Sequence, residues 1–142
     1  MSNHGPIAAD IDLALPGKRL GYPRLPHSVH RSAYGYIPIP IGVIANGAGP
    51  KVVVMAGNHG DEYEGQIIVS TLLRTLEPKD VQGTLILLPM ANFPAAEVGL
   101  RTSPLDQGNL NRAFTDDYPP GPTRHIAQYL EQSLFQGIDL LL

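Results

Sequence analysis

The chain has 142 residues, 43% of them hydrophobic and 16% charged, enough for one domain with a real core. Its formal net charge of −3 supplies no basic footprint, which argues against nucleic acid or an anionic membrane as partner. With no cysteine there is neither a disulfide framework nor a thiolate metal site, so any metal must be held by His, Asp or Glu.

The first twenty residues carry no strong period. We divide the chain into a loosely ordered lead-in, residues 1–33, and the N-terminal part of an α/β domain, residues 34–142. The start, "MSNHGPIAADIDLALPGKR", has neither the positive n-region nor the apolar core of a signal peptide. No apolar run approaches the roughly 18 residues of a membrane span. A cytoplasmic protein is the expectation.

"YGYIPIPIGVIANGAGP", residues 34–50, alternates apolar residues with Pro and Gly. Pro38 and Pro40 have no N–H for a ladder, which predicts an edge strand. "KVVVMAG", residues 51–57, is a continuous apolar run, the pattern of a strand buried on both faces. Residues 62–78 then carry Ile67, Ile68, Leu72, Leu73 and Leu76 at helical spacing and close at Pro78. "GTLILLP", residues 83–89, reads as a second buried strand.

After a long irregular excursion, residues 123–135 place Ile126, Ala127, Leu130 and Leu134 on one helical face, with Thr123 as expected N-cap. "IDLLL", residues 138–142, begins a third apolar strand. The order predicts an α/β fold: a mostly parallel (mixed) sheet flanked by helices, with its site in loops beyond the carboxyl ends of the strands. A central strand with no covering helix after it also reads as the N-terminal part of a larger protein.

Chemistry gathers in two strand-end segments. In "GNHGDEYEG", His59 and Glu62 are an H-x-x-E pair, and imidazole nitrogen and carboxylate oxygen both suit Zn²⁺. Asp61 and Glu64 are the nearby acceptors for the other ring N–H of a metal-bound histidine. The competing reading is a surface histidine beside a carboxylate that favours a helix N-terminus.

In "RTSPLDQGNLNRAF", Arg112 with Asn111 offers a guanidinium fork plus an amide, suited to a carboxylate, and Arg101 suits a developing oxyanion. The competing reading is a solvated loop whose arginines pair with Asp106, Asp116 or Asp117. His4, His27, His30 and His125 read as non-ligands from their terminal, Pro-flanked or helical settings.

Together with "PMANFPAA" and "HSVHRSAYGYIPIPI", these motifs resemble the succinylglutamate desuccinylase/aspartoacylase family of zinc carboxypeptidase-like hydrolases. They look most like the branch containing N-acetyl-diaminobutyrate deacetylases. The resemblance implies Zn²⁺ as cofactor, His59 and Glu62 as metal ligands and Arg101 as the group that polarises the scissile carbonyl. It implies Asn111 and Arg112 as the pair that binds the substrate carboxylate. The implied reaction is hydrolysis of a small-molecule N-acyl amino acid, with oligomerisation left open.

The family's third zinc ligand, a histidine in Asp-Leu-His after the strand begun by "IDLLL", has no counterpart here, and neither does its general-base glutamate. The family's Pro-Gly after "NRAF" is replaced by Thr115-Asp116. The chain alone is therefore expected to be inactive. The alternatives are a non-enzymatic homologue that binds a carboxylate ligand, and a peptide carboxypeptidase.

Overall fold

A computed structural model describes Ile7, residues 11–31, Ala33 and residues 35–142. His4 lies outside the described residues.

Five strands form one mixed sheet: β1 (Gly17–Gly21), β4 (Ile41–Asn46), β5 (Lys51–Met55), β6 (Gly83–Leu88) and β7 (Leu140–Leu141). Their spatial order is β1-β4-β6-β5-β7. β4 runs antiparallel to both β1 and β6, whereas β5 is parallel to β6 and to β7. A separate antiparallel pair is made by β2 (Arg24–Pro26) and β3 (Tyr36–Pro38). β1 and β2 both fall within residues 1–33, the stretch read as a lead-in, and are too short to give a period.

Three helices accompany the sheet: α1 (Tyr63–Thr75), α2 (Phe93–Val98) and α3 (Pro122–Tyr129), the last continuing as a π-helical turn over Leu130–Leu134. Alternation along the strands divides the core between the two faces. Val43, Val53, Ile86 and Leu88 pack with Ile126, Leu130 and Leu134 from α3 and its extension. Ile44 and Leu87 point the other way, onto Val69, Leu72 and Leu73 of α1.

Three local expectations are corrected. The edge strand expected over residues 34–50 is two strands, and β4 is internal, with Ile41 through Ala45 all buried. Pro38 ends β3 and Pro40 precedes β4, so neither proline removes a β4 ladder donor. On α1, Ile67 and Ile68 are 63% and 58% exposed, whereas Val69 and Gln66 face inward. Thr123 is not the N-cap of α3, because Gly121 holds that place and Asp106 performs the capping.

Candidate active site

β5 delivers its chain end to the site through a turn that only glycine fits. Gly57 sits at φ +71°, and a Cβ there would lie 2.8 Å from Met90 Cα. The loop that follows is tied down from several sides. Gly57 O accepts from the backbone N–H of the fully buried Asn92 at 2.9 Å, and Gly60 N–H donates to Leu100 O at 2.8 Å. A side chain at Gly60 would collide with the Ala95 carbonyl of α2. From α1, the buried amide of Gln66 donates to the carbonyl oxygens of Gly60 and Glu62, each at 3.1 Å. Inward placement of a glutamine on an otherwise apolar face therefore serves to hold this loop.

The result is a fixed His59, 4% exposed, with Nδ1 2.9 Å from Glu62 Oε1. Arg101, entering from the segment after α2, donates through Nη1 to the same Glu62 oxygen at 3.3 Å. The hydrogen bond from His59 first, and the positive charges of His59 and Arg101 with it, hold the Glu62 carboxyl below its ordinary value of 4.5.

The opposite ring nitrogen, His59 Nε2, meets Asn109 Oδ1 at 3.1 Å. That same oxygen accepts the Asn111 backbone N–H at 3.1 Å, which fixes the orientation of the Asn109 amide. Nε2 must therefore be the N–H nitrogen. Nδ1 faces the carboxylate oxygen: it donates to that oxygen when it carries a proton, and without the proton its lone pair is open to a cation. Nδ1 and Glu62 Oε1 are thereby two candidate ligand atoms for a cation.

The spacing suits this: two ligand atoms about 2.0–2.2 Å from a tetrahedral ion lie roughly 3.3–3.6 Å apart, so the pair need open by only about half an ångström. His59 and Glu62 are the residues here that would hold it. Among the described residues no cluster of three His, Cys, Asp or Glu is formed.

The second segment is anchored independently. Asp106 Oδ1 accepts from Gly108 N and Thr123 Oγ1, and its Oδ2 accepts from Thr123 N at 2.8 Å, joining the loop to the start of α3. Asn109 N–H donates to Tyr118 Oη at 2.8 Å. A 3₁₀ turn over Leu110–Arg112 then buries Leu110 and exposes Asn111 and Arg112. Asn111 Oδ1 accepts from Asn58 Nδ2 at 3.3 Å, while among the described residues the Arg112 guanidinium has no ion-pair partner.

Of the five residues singled out from sequence, His59, Glu62 and Arg101 meet on one carboxylate oxygen. Asn111 joins them through Asn58, and Arg112 shares Asn111's turn without touching the others. Two of the three carboxylates weighed as arginine partners are used elsewhere: Asp106 binds Thr123, and Asp116 pairs with Arg124 at 3.3 Å. Asp61 and Glu64 are exposed, and the acceptor of the second ring N–H is Asn109 instead. Asn58, Gln66, Asn92 and Asn109 were not singled out from sequence. The Asn-x-Asn spacing of Asn109 and Asn111 is the one signal that pointed to any of them.

Residues 48–142 match the model of the succinylglutamate desuccinylase/aspartoacylase catalytic domain. The chain belongs to this family. It is 43% identical over 137 residues to the N-alpha-acetyl-L-2,4-diaminobutyric acid deacetylase of Halomonas elongata, covering 96% of this chain and 40% of that protein.

The product-bound ectoine utilization protein EutE (DoeB) of Ruegeria pomeroyi superposes with a TM-score of 0.91 at 44% identity, over 96% of this chain and 42% of that one. A succinylglutamate desuccinylase from Silicibacter sp. TM1040 gives the same TM-score, 0.91, at 43% identity and the same coverage, 96% and 42%. The chain thus spans about two-fifths of the length of these family members. Among the described residues no helix is long and apolar enough to cross a membrane.

Proposed function

We propose that this chain carries part of the metal and substrate site of a zinc-dependent amidohydrolase acting on a small N-acyl amino acid. The observation that carries this reading is the His59 ring, held at Nε2 by Asn109 so that Nδ1 and a Glu62 oxygen face each other 2.9 Å apart. The 43% identity to a diaminobutyric acid deacetylase supports an acetylated diamino acid as substrate.

When bound, zinc supplies a lowered pKa for water and polarisation of the amide oxygen. The chain's own residues do the positioning. Arg112 and Asn111, exposed on one turn, bind the substrate carboxylate and so fix the distance of the scissile amide from His59. Arg101, held beside Glu62, faces the amide carbonyl and stabilises negative charge as it develops there. Glu62, kept ionised by His59 and Arg101, maintains the negative potential that retains a cation.

Two protein ligands hold zinc loosely, so the 142-residue chain by itself is expected not to turn over. The test is a chimera in which this chain replaces the matching segment of the Halomonas elongata deacetylase. Acetate release from N-acetyl-L-2,4-diaminobutyrate that requires zinc and is lost with His59→Ala supports the proposal. A folded, zinc-loaded chimera that is inactive contradicts it.

A second reading, a carboxylate-binding protein without catalysis, rests on the exposed turn that carries Asn111 and Arg112. Its signature is ligand binding that survives a chelator and is lost with Arg112→Ala.

A further inference from the structure

Asn58 lies between the two halves of the site and belongs to neither. Its backbone is clamped, because its carbonyl oxygen accepts from the Nδ2 of buried Asn92 at 3.4 Å, next to the Asn92 N–H to Gly57 O bond. Its side chain crosses to the other loop and donates to Asn111 Oδ1 at 3.3 Å. Asn58 Oδ1 is buried and has no partner among the described residues. An unsatisfied buried acceptor calls for a reason to keep that side chain in place. Both amides line one cavity of about 350 Å³, walled otherwise by apolar groups including Met55, Phe114 and Phe135. That is the size of a small-ligand site.

A primary amide is polar at both ends, and only its NH₂ end attracts a carboxylate. Among the described residues the Asn111 side chain makes no other hydrogen bond, so Asn58 decides which end turns outward. With the carbonyl committed to Asn58, the NH₂ is the end left free, on the same exposed turn as Arg112.

We infer that Asn58 is a positioning residue, setting the rotamer of Asn111 so that its NH₂ faces the carboxylate of the bound ligand. This rests on the reading of Asn111 and Arg112 as the carboxylate-binding pair. It also links the loop bearing His59 to the loop bearing Arg112, through a single side-chain hydrogen bond.

The test is a double-mutant cycle on the 142-residue chain. Affinity is measured for N-acetyl-L-2,4-diaminobutyrate and for its carboxamide, which lacks the carboxylate. Asn58→Ala is expected to weaken the carboxylate ligand roughly three- to tenfold, the range of one hydrogen bond, with little change for the carboxamide. Asn111→Ala should weaken it at least as much, and the double variant should match Asn111→Ala alone, since Asn58 acts through Asn111.

In ¹⁵N–¹H spectra the Asn111 side-chain amide pair should shift in Asn58→Ala without ligand, a signature that general destabilisation does not produce. Fully additive losses, or an unmoved Asn111 amide, overturn the inference while leaving the carboxylate site intact. If the unmodified chain does not distinguish carboxylate from carboxamide, the underlying reading falls and this inference with it.

Discussion

Asn109 Oδ1 lies 3.1 Å from His59 Nε2 and at the same time accepts the Asn111 backbone N–H at 3.1 Å. One amide oxygen therefore holds the Nε2 edge of the histidine ring and the start of the 3₁₀ turn over Leu110–Arg112 together. Polar groups that orient a ligand histidine raise its affinity for metal by holding the ring and fixing which nitrogen is free. Replacing Asn109 with Ala should lower zinc affinity about 10- to 100-fold, and Asn109→Asp, which keeps an acceptor, should recover most of the loss. Competition against a chromophoric chelator reads this directly, and equal affinities for all three proteins would refute it.

Gln66 is 6% exposed, and its amide ties two loop carbonyls to α1. Gln66→Leu keeps similar volume but leaves both carbonyls without that donor, at a cost of about 1–3 kcal/mol. Urea unfolding should show this loss with an unchanged m-value, together with weaker zinc binding. A variant as stable as the parent would mean that the loop holds itself.

Gly60 packs against α2 so closely that a methyl group would collide with the Ala95 carbonyl. Because the obstacle is backbone, it cannot rotate away. Gly60→Ala should cost at least about 2 kcal/mol and displace His59, so its zinc affinity should fall with its stability. Thermal unfolding with and without zinc separates the two effects, and a neutral substitution would rule out the packing described.

Glu62 gives the metal-free chain a defined pH dependence. Its carboxyl is held below 4.5 by His59 first and then by Arg101, so the ionised form is favoured in the folded protein. The contribution is fully present above the unfolded value and is lost as pH falls through the lowered folded one. Glu62 is largely exposed, so solvent screening keeps the effect small. Stability of the parent chain relative to Glu62→Gln should shrink below about pH 4.5 and hold level above it. An advantage that grows on acidification would contradict the assignment.

Much of the architecture was legible in the sequence because strands packed on both faces leave continuous apolar runs. β5 and β6 stand out for that reason, as does the face carrying Ile126 and Leu130. The short β1 and β2 were not legible, since three to five residues give no measurable period and their pairing is set by partners distant in sequence.

α1 misled in one respect. Ile67 and Ile68 have the composition of a core face, but the inward place goes to Gln66, which the loop carbonyls require. At the candidate site, residue types singled out His59, Glu62, Arg101, Asn111 and Arg112, of which the first three meet in the structure. Asn58 and Asn109 stayed hidden because asparagine is ordinary in loops, and only the tertiary fold shows which amides face which atoms.

The central claim, that His59 and Glu62 share a metal ion, is tested most directly by titrating the chain with zinc at neutral pH. The account predicts one weak site per chain, reduced at least about tenfold by His59→Ala and by Glu62→Gln, and unchanged by Arg112→Ala. Zinc binding that survives both of the first two substitutions would contradict it.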